Sequence, residues 1–323
     1  MFTPSANIPV ICTYQGAFSP PTRAHQEAGR ILARHLMKLY PDTDITLFYM
    51  PTANVASKDS LSIKKAAAGG AGPSDYISEA ERFELLARIC DELNKEPEFT
   101  RVRFEPSDIE FKNKDKGTST IHTLRTLKTL HPSYRLVLAM GEDNGNQLAW
   151  WTDIAEYPGL IDRMLFIDRK LSKVESDAAK ASMPASPFPF ASTYPGAEQT
   201  HMRFGTSWDK THPLFPEILA SHPAIANALA ELAGKTDLLE PPLAKEPAVS
   251  STGLRAALRS GDEGEAMRIA GALYPIIKDK RLLTRSKGEV AGMIGAGALA
   301  RRNTRRRRSN RRSNRRRNTR QRR

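Results

Sequence analysis

Val10-Ile11-Cys12-Thr13-Tyr14-Gln15-Gly16-Ala17-Phe18-Ser19-Pro20-Pro21-Thr22-Arg23-Ala24-His25 joins an apolar run to a Gly/Pro turn and then to a helix opening. The run predicts a strand over Pro9–Tyr14. Beyond the turn, Ala28, Ile31, Leu32, His35, Leu36 and Leu39 recur at helical spacing, which predicts a helix over Thr22–Leu39 with one face buried. A strand-turn-helix junction of this kind points backbone N–H groups and the positive end of a helix in one direction, an arrangement suited to phosphate. His25 lies at the opening of that helix. The same residues also suit a plain βα corner with a capping histidine, and this stretch alone does not choose between the two.

Working outward, Thr43–Met50 reads as a second strand closed by Pro51, with the first helix as the crossover that parallel strands require. Ala53–Asp75, rich in Ala, Gly, Ser and Lys, reads as a mobile surface loop. Ser78 with Glu81 three residues on forms a capping-box pattern opening a helix that runs to about Asn94, with Leu85, Leu86, Ile89, Cys90 and Leu93 inward. Arg101–Glu105 is a short strand, charged Asp108–Lys116 an exposed loop, and Ser119 to about His131 a helix. Arg135–Met140 is apolar on both faces, as a central parallel strand is. Asn146–Ile154 reads as helical and Arg163–Asp168 as a fifth strand. This alternation predicts an α/β fold with a doubly wound parallel sheet, whose ligands bind outside the carboxyl ends of the strands. Gly16–His25, Pro51–Lys58 and Gly141–Asn144 all fall on that edge.

From Leu171 the pattern fades: residues 171–247 read as an irregular insertion, with Met183–Pro195 disordered and Pro213–Leu232 helical. Val249–Arg255 opens a helix to about Ser260, followed by Ala266–Tyr274 and Pro275–Lys280, a helical C-terminal part. Residues 1–287 are thus read as one domain (53–76 its loop) and 288–323 as a disordered basic tail.

The chain has 323 residues, 40% of them hydrophobic, enough for a substantial core. Its net charge of +13 comes from the tail. Residues 301–323 hold 14 arginines and no acid; without them, 35 basic face 36 acidic side chains. An argument for nucleic acid therefore applies to the tail alone. No apolar run approaches the roughly 20 residues that span a bilayer, and no secretory leader is evident, so the expectation is no membrane and no secretion. Cys12 and Cys90 read as buried thiols.

With both ends of the site in hand, the chain resembles the nucleotidyltransferases of the HxGH type, and within them the nicotinamide/nicotinate-mononucleotide adenylyltransferases. The first motif of that family, G-(G/S)-x-F-(D/N)-P-x-(H/T)-x-x-H, corresponds to Gln15-Gly16-Ala17-Phe18-Ser19-Pro20-Pro21-Thr22-Arg23-Ala24-His25, with Gln15 and Ser19 as departures and Thr22 for the first histidine. Pro51–Leu61 is similar to a family segment followed by lysines, which makes Lys58 a phosphate contact. Gly117–Leu124 resembles the helix opening S/Y-T-x-x-T-L. Met140–Asn144, with Trp151 eight residues after Asp143, and Ser250-Ser251-Thr252-Gly253-Leu254-Arg255 resemble two further signatures, and Leu273-Tyr274-Pro275 continues in the family's manner.

What the resemblance implies is adenylyl transfer: a mononucleotide phosphate attacks the α-phosphorus of ATP and pyrophosphate leaves. Such a transfer needs positioning and charge stabilisation rather than a protein nucleophile. His25 and Thr22 would contact the reacting phosphate and Arg255 the leaving phosphates. Gly16, Ala17 and Phe18 on one side and Ser250, Ser251 and Thr252 on the other would offer opposed backbone N–H nests. Gly141 and Asp143 would hold the nucleotide and Trp151 would stack on the pyridine ring. Mg²⁺ would come with ATP, no resident metal being expected. A homo-oligomer is expected from the family. Other acceptor phosphates, and a nucleic-acid-associated protein with a degenerate site, stand as alternatives. The tail suggests nuclear targeting (otherwise a cytoplasmic protein) or sequence-blind contact with nucleic acid.

Overall fold

The computed structural model describes residues 8–53, 77–113, 119–141, 144, 148, 151–167, 223–239 and 249–283. Six parallel strands form one sheet: β1 (Val10–Gly16), β2 (Ile45–Pro51), β3 (Val102–Pro106), β4 (Arg135–Gly141), β5 (Arg163–Ile167) and β6 (Thr236–Leu239). Their order is β3-β2-β1-β4-β5-β6, all pairs parallel. This is the doubly wound arrangement, with its reversal point between β1 and β4. Register sets Gly16 against Pro51 and Gln15 against Met140, so Gly16, Pro51 and Gly141 lie abreast at the carboxyl edge.

Two cores result because side chains alternate across each strand. Val10, Cys12 and Tyr14 face one side, covered by α1 (Arg23–Leu39), α2 (Glu79–Leu93) and the C-terminal helices α7 (Ser251–Ser260), α8 (Glu263–Ala270) and α9 (Tyr274–Asp279). Ile11 faces the other, covered by α4 (Thr120–Leu130), α5 (Tyr157–Leu160) and α6 (Pro223–Gly234). Helix α1 buries Ala28, Gly29, Leu32, Ala33 and Leu36. Helix α2 opens on the expected capping box: Glu81 N–H donates to Ser78 Oγ and Ser78 N–H to Glu81 Oε2. Among the described residues, no helix is long and apolar enough to cross a membrane.

Three expectations need correction. Asp108–Lys116 is not all exposed loop: Ile109–Asn113 forms α3 and buries Glu110 and Asn113. Its high charge is misleading because Asp108 and Lys112 pair with each other at the surface, one helical turn apart. The region read as an irregular insertion contains α6 and β6; of the expected Pro213–Leu232 helix, the part from Pro223 onward is helical and residues 213–222 lie outside the described residues. Thr236-Asp237-Leu238-Leu239 is too short and too half-buried to show a period, yet it closes the sheet at the edge beside β5. Trp151–Asp153 is not helical; Asp153 takes a left-handed φ of 53°, and a 3₁₀ turn follows at Ile154–Glu156. The expected loop from residue 54 onward, Met183–Pro195 and the 288–323 tail lie outside the described residues.

Candidate active site

The turn between β1 and α1 is held by its carbonyl oxygens. Gly16 C=O accepts from the N–H and hydroxyl of Thr52, at 3.0 and 3.3 Å, just past β2. Ala17 C=O accepts from Nη1 of buried Arg82 on α2 at 2.8 Å. Ser19 C=O accepts from Arg255 Nη1 at 2.7 Å, and Pro20 C=O from Ser251 Oγ at 2.8 Å, both on α7. Carbonyl and N–H of a trans peptide point opposite ways, so fixing the Gly16 and Ala17 oxygens inward turns the Ala17 and Phe18 N–H groups outward. Ala17 itself is exposed. Two adjacent outward N–H groups beside a helix N-terminus are an arrangement that can receive an anion.

Phe18 shapes this turn. It adopts a left-handed φ of 46°, which a non-glycine residue holds only when its surroundings enforce it. Its buried ring packs edge-on against Tyr14 at 5.3 Å and lies 5.1 Å from the ring of His25. A Cβ on Gly16 would meet the Phe18 ring at 3.2 Å, so a larger residue there requires the ring to give way by a few tenths of an ångström.

His25 is anchored from two sides. Its Nδ1 accepts the Thr22 N–H at 3.0 Å, with Thr22 Oγ1 2.9 Å from the same nitrogen. A ring nitrogen that accepts an N–H carries no proton, so the imidazole proton sits on Nε2, the ring's remaining donor. The His25 carbonyl accepts from Tyr49 Oη at 3.0 Å. Tyr49 is fully buried, which raises its hydroxyl pKa well above the ordinary tyrosine value. Thr22, expected near the phosphate, is wholly buried, and its hydroxyl lies against His25 Nδ1, where it orients the imidazole.

The second segment, expected as a separate opposed nest, is joined to the first. Ser250 caps α7, accepting from Gly253 N–H at 3.0 Å. Arg255 spans from Ser19 C=O to Thr252 Oγ1, the latter at 3.1 Å. On the other face of the sheet, Gln15 Oε1 accepts from Thr120 Oγ1 at 2.8 Å and so ties β1 to the start of α4. Trp151 is half-buried, its ring 5.9 Å from that of buried Tyr157. Lys58 and Asp143 lie outside the described residues. Among the described residues, no cluster of three or more His, Cys, Asp or Glu side chains could hold a metal ion.

Arg82, Thr52, Tyr49 and Glu110 were not singled out from the sequence as part of this edge. Arg82 had a signal: it falls on the apolar stripe of α2, in register with Leu85, Leu86 and Ile89, where a guanidinium needs a buried acceptor. Glu110 is 4% exposed beside it, and burial raises its carboxyl pKa to about 8, although an N–H from Ala53 and the charge of Arg82 oppose the shift.

No family model matches the chain. It is 36% identical over 75 residues to a probable nicotinate-nucleotide adenylyltransferase of Shewanella baltica, covering 23% of this chain and 31% of that one. It thus spans about a third of the length of such relatives. It is 26% identical over 170 residues to a probable nicotinate-nucleotide adenylyltransferase of Aliarcobacter butzleri, covering 53% of this chain and 76% of the relative. Plasmodium falciparum nicotinic acid mononucleotide adenylyltransferase complexed with NaAD aligns over 85% of this chain and 97% of its own, at 15% identity and a TM-score of 0.47. In sequence, this chain is similar to proteins named probable nicotinate-nucleotide adenylyltransferases.

Proposed function

We propose that this protein transfers the adenylyl group of ATP to a pyridine mononucleotide, nicotinate mononucleotide foremost, forming the dinucleotide and releasing pyrophosphate. One observation carries the reading: four carbonyls of the Gly16–Pro20 turn are tied inward by Thr52, Arg82, Ser251 and Arg255, and His25 sits at the adjoining helix start. A turn whose acceptors are engaged presents donors, and donors suit phosphate oxygens on which charge develops. In this reading the Ala17 and Phe18 N–H groups and the His25 Nε2–H face the reacting phosphate. Arg255, already fixed at Ser19 and Thr252, directs its other N–H groups to the leaving phosphates. Half-buried Trp151 offers one ring face to the pyridine while Tyr157 packs against it. Mg²⁺ arrives on the triphosphate as part of the substrate. The relatives' names favour nicotinate over nicotinamide mononucleotide. The arginine-rich tail serves a separate purpose, nuclear targeting or sequence-blind contact with nucleic acid, with binding that falls steeply as salt rises.

The test is pyrophosphate release from ATP with each mononucleotide. His25→Ala should lower turnover by about a hundredfold or more, in the range of other lost transition-state donors, while the fold survives. Near-normal turnover in that variant, or no turnover by the wild-type chain with either mononucleotide, overturns the proposal.

A further inference from the structure

Arg82 reaches the phosphate edge from behind. It is 2% exposed, projects from the first turn of α2, and donates through Nη1 to Ala17 C=O at 2.8 Å. Its guanidinium also lies 5.6 Å from the centre of the Phe111 ring on α3. The neighbouring α3 residue, Glu110, is buried, accepts an N–H from Ala53 two residues past β2, and feels the charge of Arg82. Glu110 Oε2 has no hydrogen-bond partner among the described residues. The Ala17–Phe18 peptide, whose oxygen Arg82 holds, is the one whose N–H turns outward beside His25.

We propose that Arg82 is a positioning residue for phosphate binding: it sets the Ala17–Phe18 peptide plane so that the Phe18 N–H faces the ligand, and buried Glu110, held by the Ala53 N–H just past β2, places its carboxyl where it feels the Arg82 charge. Arg82 touches no substrate. It acts through the Ala17–Phe18 peptide, and rotating that peptide removes one of the two adjacent donors on which an anion concavity depends. A planar guanidinium suits the task, since a buried fork can hold a carbonyl while its face packs on an aromatic ring. Glu110 adds a dependence on pH. Arg82 of α2 is the charged group acting on it. Ala53, two residues past β2, contributes its N–H, and α4 meets α3 through Thr126, which accepts from Asn113 Nδ2. Ionising Glu110 places a negative charge behind a site that receives negative phosphates, so ATP binding weakens as pH rises through about 8.

The proposal rests on the adenylyl-transfer reading only for the identity of the phosphate ligand. Its test is calorimetric titration of the full chain with Mg-ATP, read beside turnover and thermal midpoint. Arg82→Met keeps the packed stem and loses the donor. It should weaken ATP binding about tenfold or more, as misplacement of a binding group does, with the KM for mononucleotide little changed. Should the Met variant fail to fold, Arg82→Lys, which keeps the charge without the fork, is read in the same way. Wild-type ATP affinity should fall between pH 7 and 9, and Glu110→Gln should flatten that fall. ATP affinity within twofold of wild type in a folded Arg82 variant overturns the role of Arg82. An equal pH slope in wild type and Glu110→Gln overturns that of Glu110, and a wild-type chain that binds no ATP overturns both. ATP binding that depends on Arg82, without turnover on either mononucleotide, sinks the adenylyl-transfer reading and leaves this one standing.

Discussion

Gly29→Ala should destabilise this protein, although helix propensity alone says the reverse. Gly29 sits in the middle of α1, where alanine normally adds about 0.5–1 kcal/mol of stability. Here a Cβ would stand 1.9 Å from Tyr49 Oη, 3.0 Å from Tyr49 Cζ and 3.2 Å from Leu93 Cδ1. Tyr49 cannot swing aside: it is fully buried, its ring packs on Tyr14 at 5.4 Å, and its hydroxyl donates to His25 C=O. Overpacking of this kind costs about 1–3 kcal/mol, and losing the hydroxyl's bond costs about 1 more. Against the propensity gain, the net is a loss of about 1–3 kcal/mol. Urea unfolding of Gly29→Ala, Tyr49→Phe and the double variant measures it. Removing the hydroxyl relieves the closest contact, so the double variant should be more stable than the sum of the singles by about 1–2 kcal/mol, within the usual range for touching residues. An alanine variant as stable as wild type, or additive singles, would refute the claim that Gly29 exists to admit Tyr49. Because Tyr49 supports the His25 carbonyl, the same alanine should also lower any turnover that depends on His25.

Further outcomes follow from other contacts. Glu110 has its carboxyl raised from 4.5 unfolded to about 8 folded, so stability present below pH 4.5 is lost progressively up to about pH 8. At about 1.4 kcal/mol per pH unit, the ceiling on that loss at pH 7 is about 3 kcal/mol, and Glu110→Gln should remove the slope in urea titrations at pH 5 and 7.5. Arg255→Ala frees Ser19 C=O and should lower kcat/KM for ATP about a hundredfold, whereas Ser251→Ala, which loses one neutral hydrogen bond, should cost about 1 kcal/mol of stability. Steady-state kinetics and urea unfolding on the same samples separate the two. Cys12 and Cys90 are buried, and burial raises both thiol pKa values, so an aromatic disulfide reagent at pH 8 should react with them only as fast as the chain opens.

The sheet was legible because its central strands carry their own evidence. Val10–Tyr14 and Arg135–Met140 are apolar on both faces, which only a strand covered on both sides tolerates, and a helical period separates β1 from β2. The edge was not legible. Strand β6 is four residues with a threonine and an aspartate, because an edge strand buries little. Its Asp237 lies 3.2 Å from His35 Nε2, across the gap to α1, a contact no period shows. Helix α3 was hidden by composition: Asp108, Glu110, Lys112 and Lys114 suggest solvent, yet Glu110 points inward. Charge predicts exposure on average and fails where a single acid is enclosed, and nothing local marks which acid that is.

The two readings of His25, helix cap or phosphate contact, stand against each other in the sequence because each calls on the same side chain. In the structure the cap occupies Nδ1 alone, and the phosphate contact proposed above uses the other nitrogen. Nδ1 caps the helix through Thr22 and thereby assigns the proton to Nε2, so the cap prepares the donor. Ser250–Arg255 divides in the same way. Read alone, it suggests a second nest facing the first across the ligand. In the fold, Ser251 and Arg255 grip the carbonyls of Pro20 and Ser19, more than 230 residues earlier in the chain. Part of the second segment is therefore scaffold for the first. This accounts for what a sequence can and cannot show at such a site. Residue types survive as a pattern because each donor must meet a particular carbonyl, whereas the residue that meets Ala17 C=O, Arg82, sits inside an ordinary amphipathic helix and leaves no motif. Strand periods and signatures thus point to the groups proposed to face a ligand, and the groups that hold the turn's peptides become visible only when each backbone oxygen is followed to its donor.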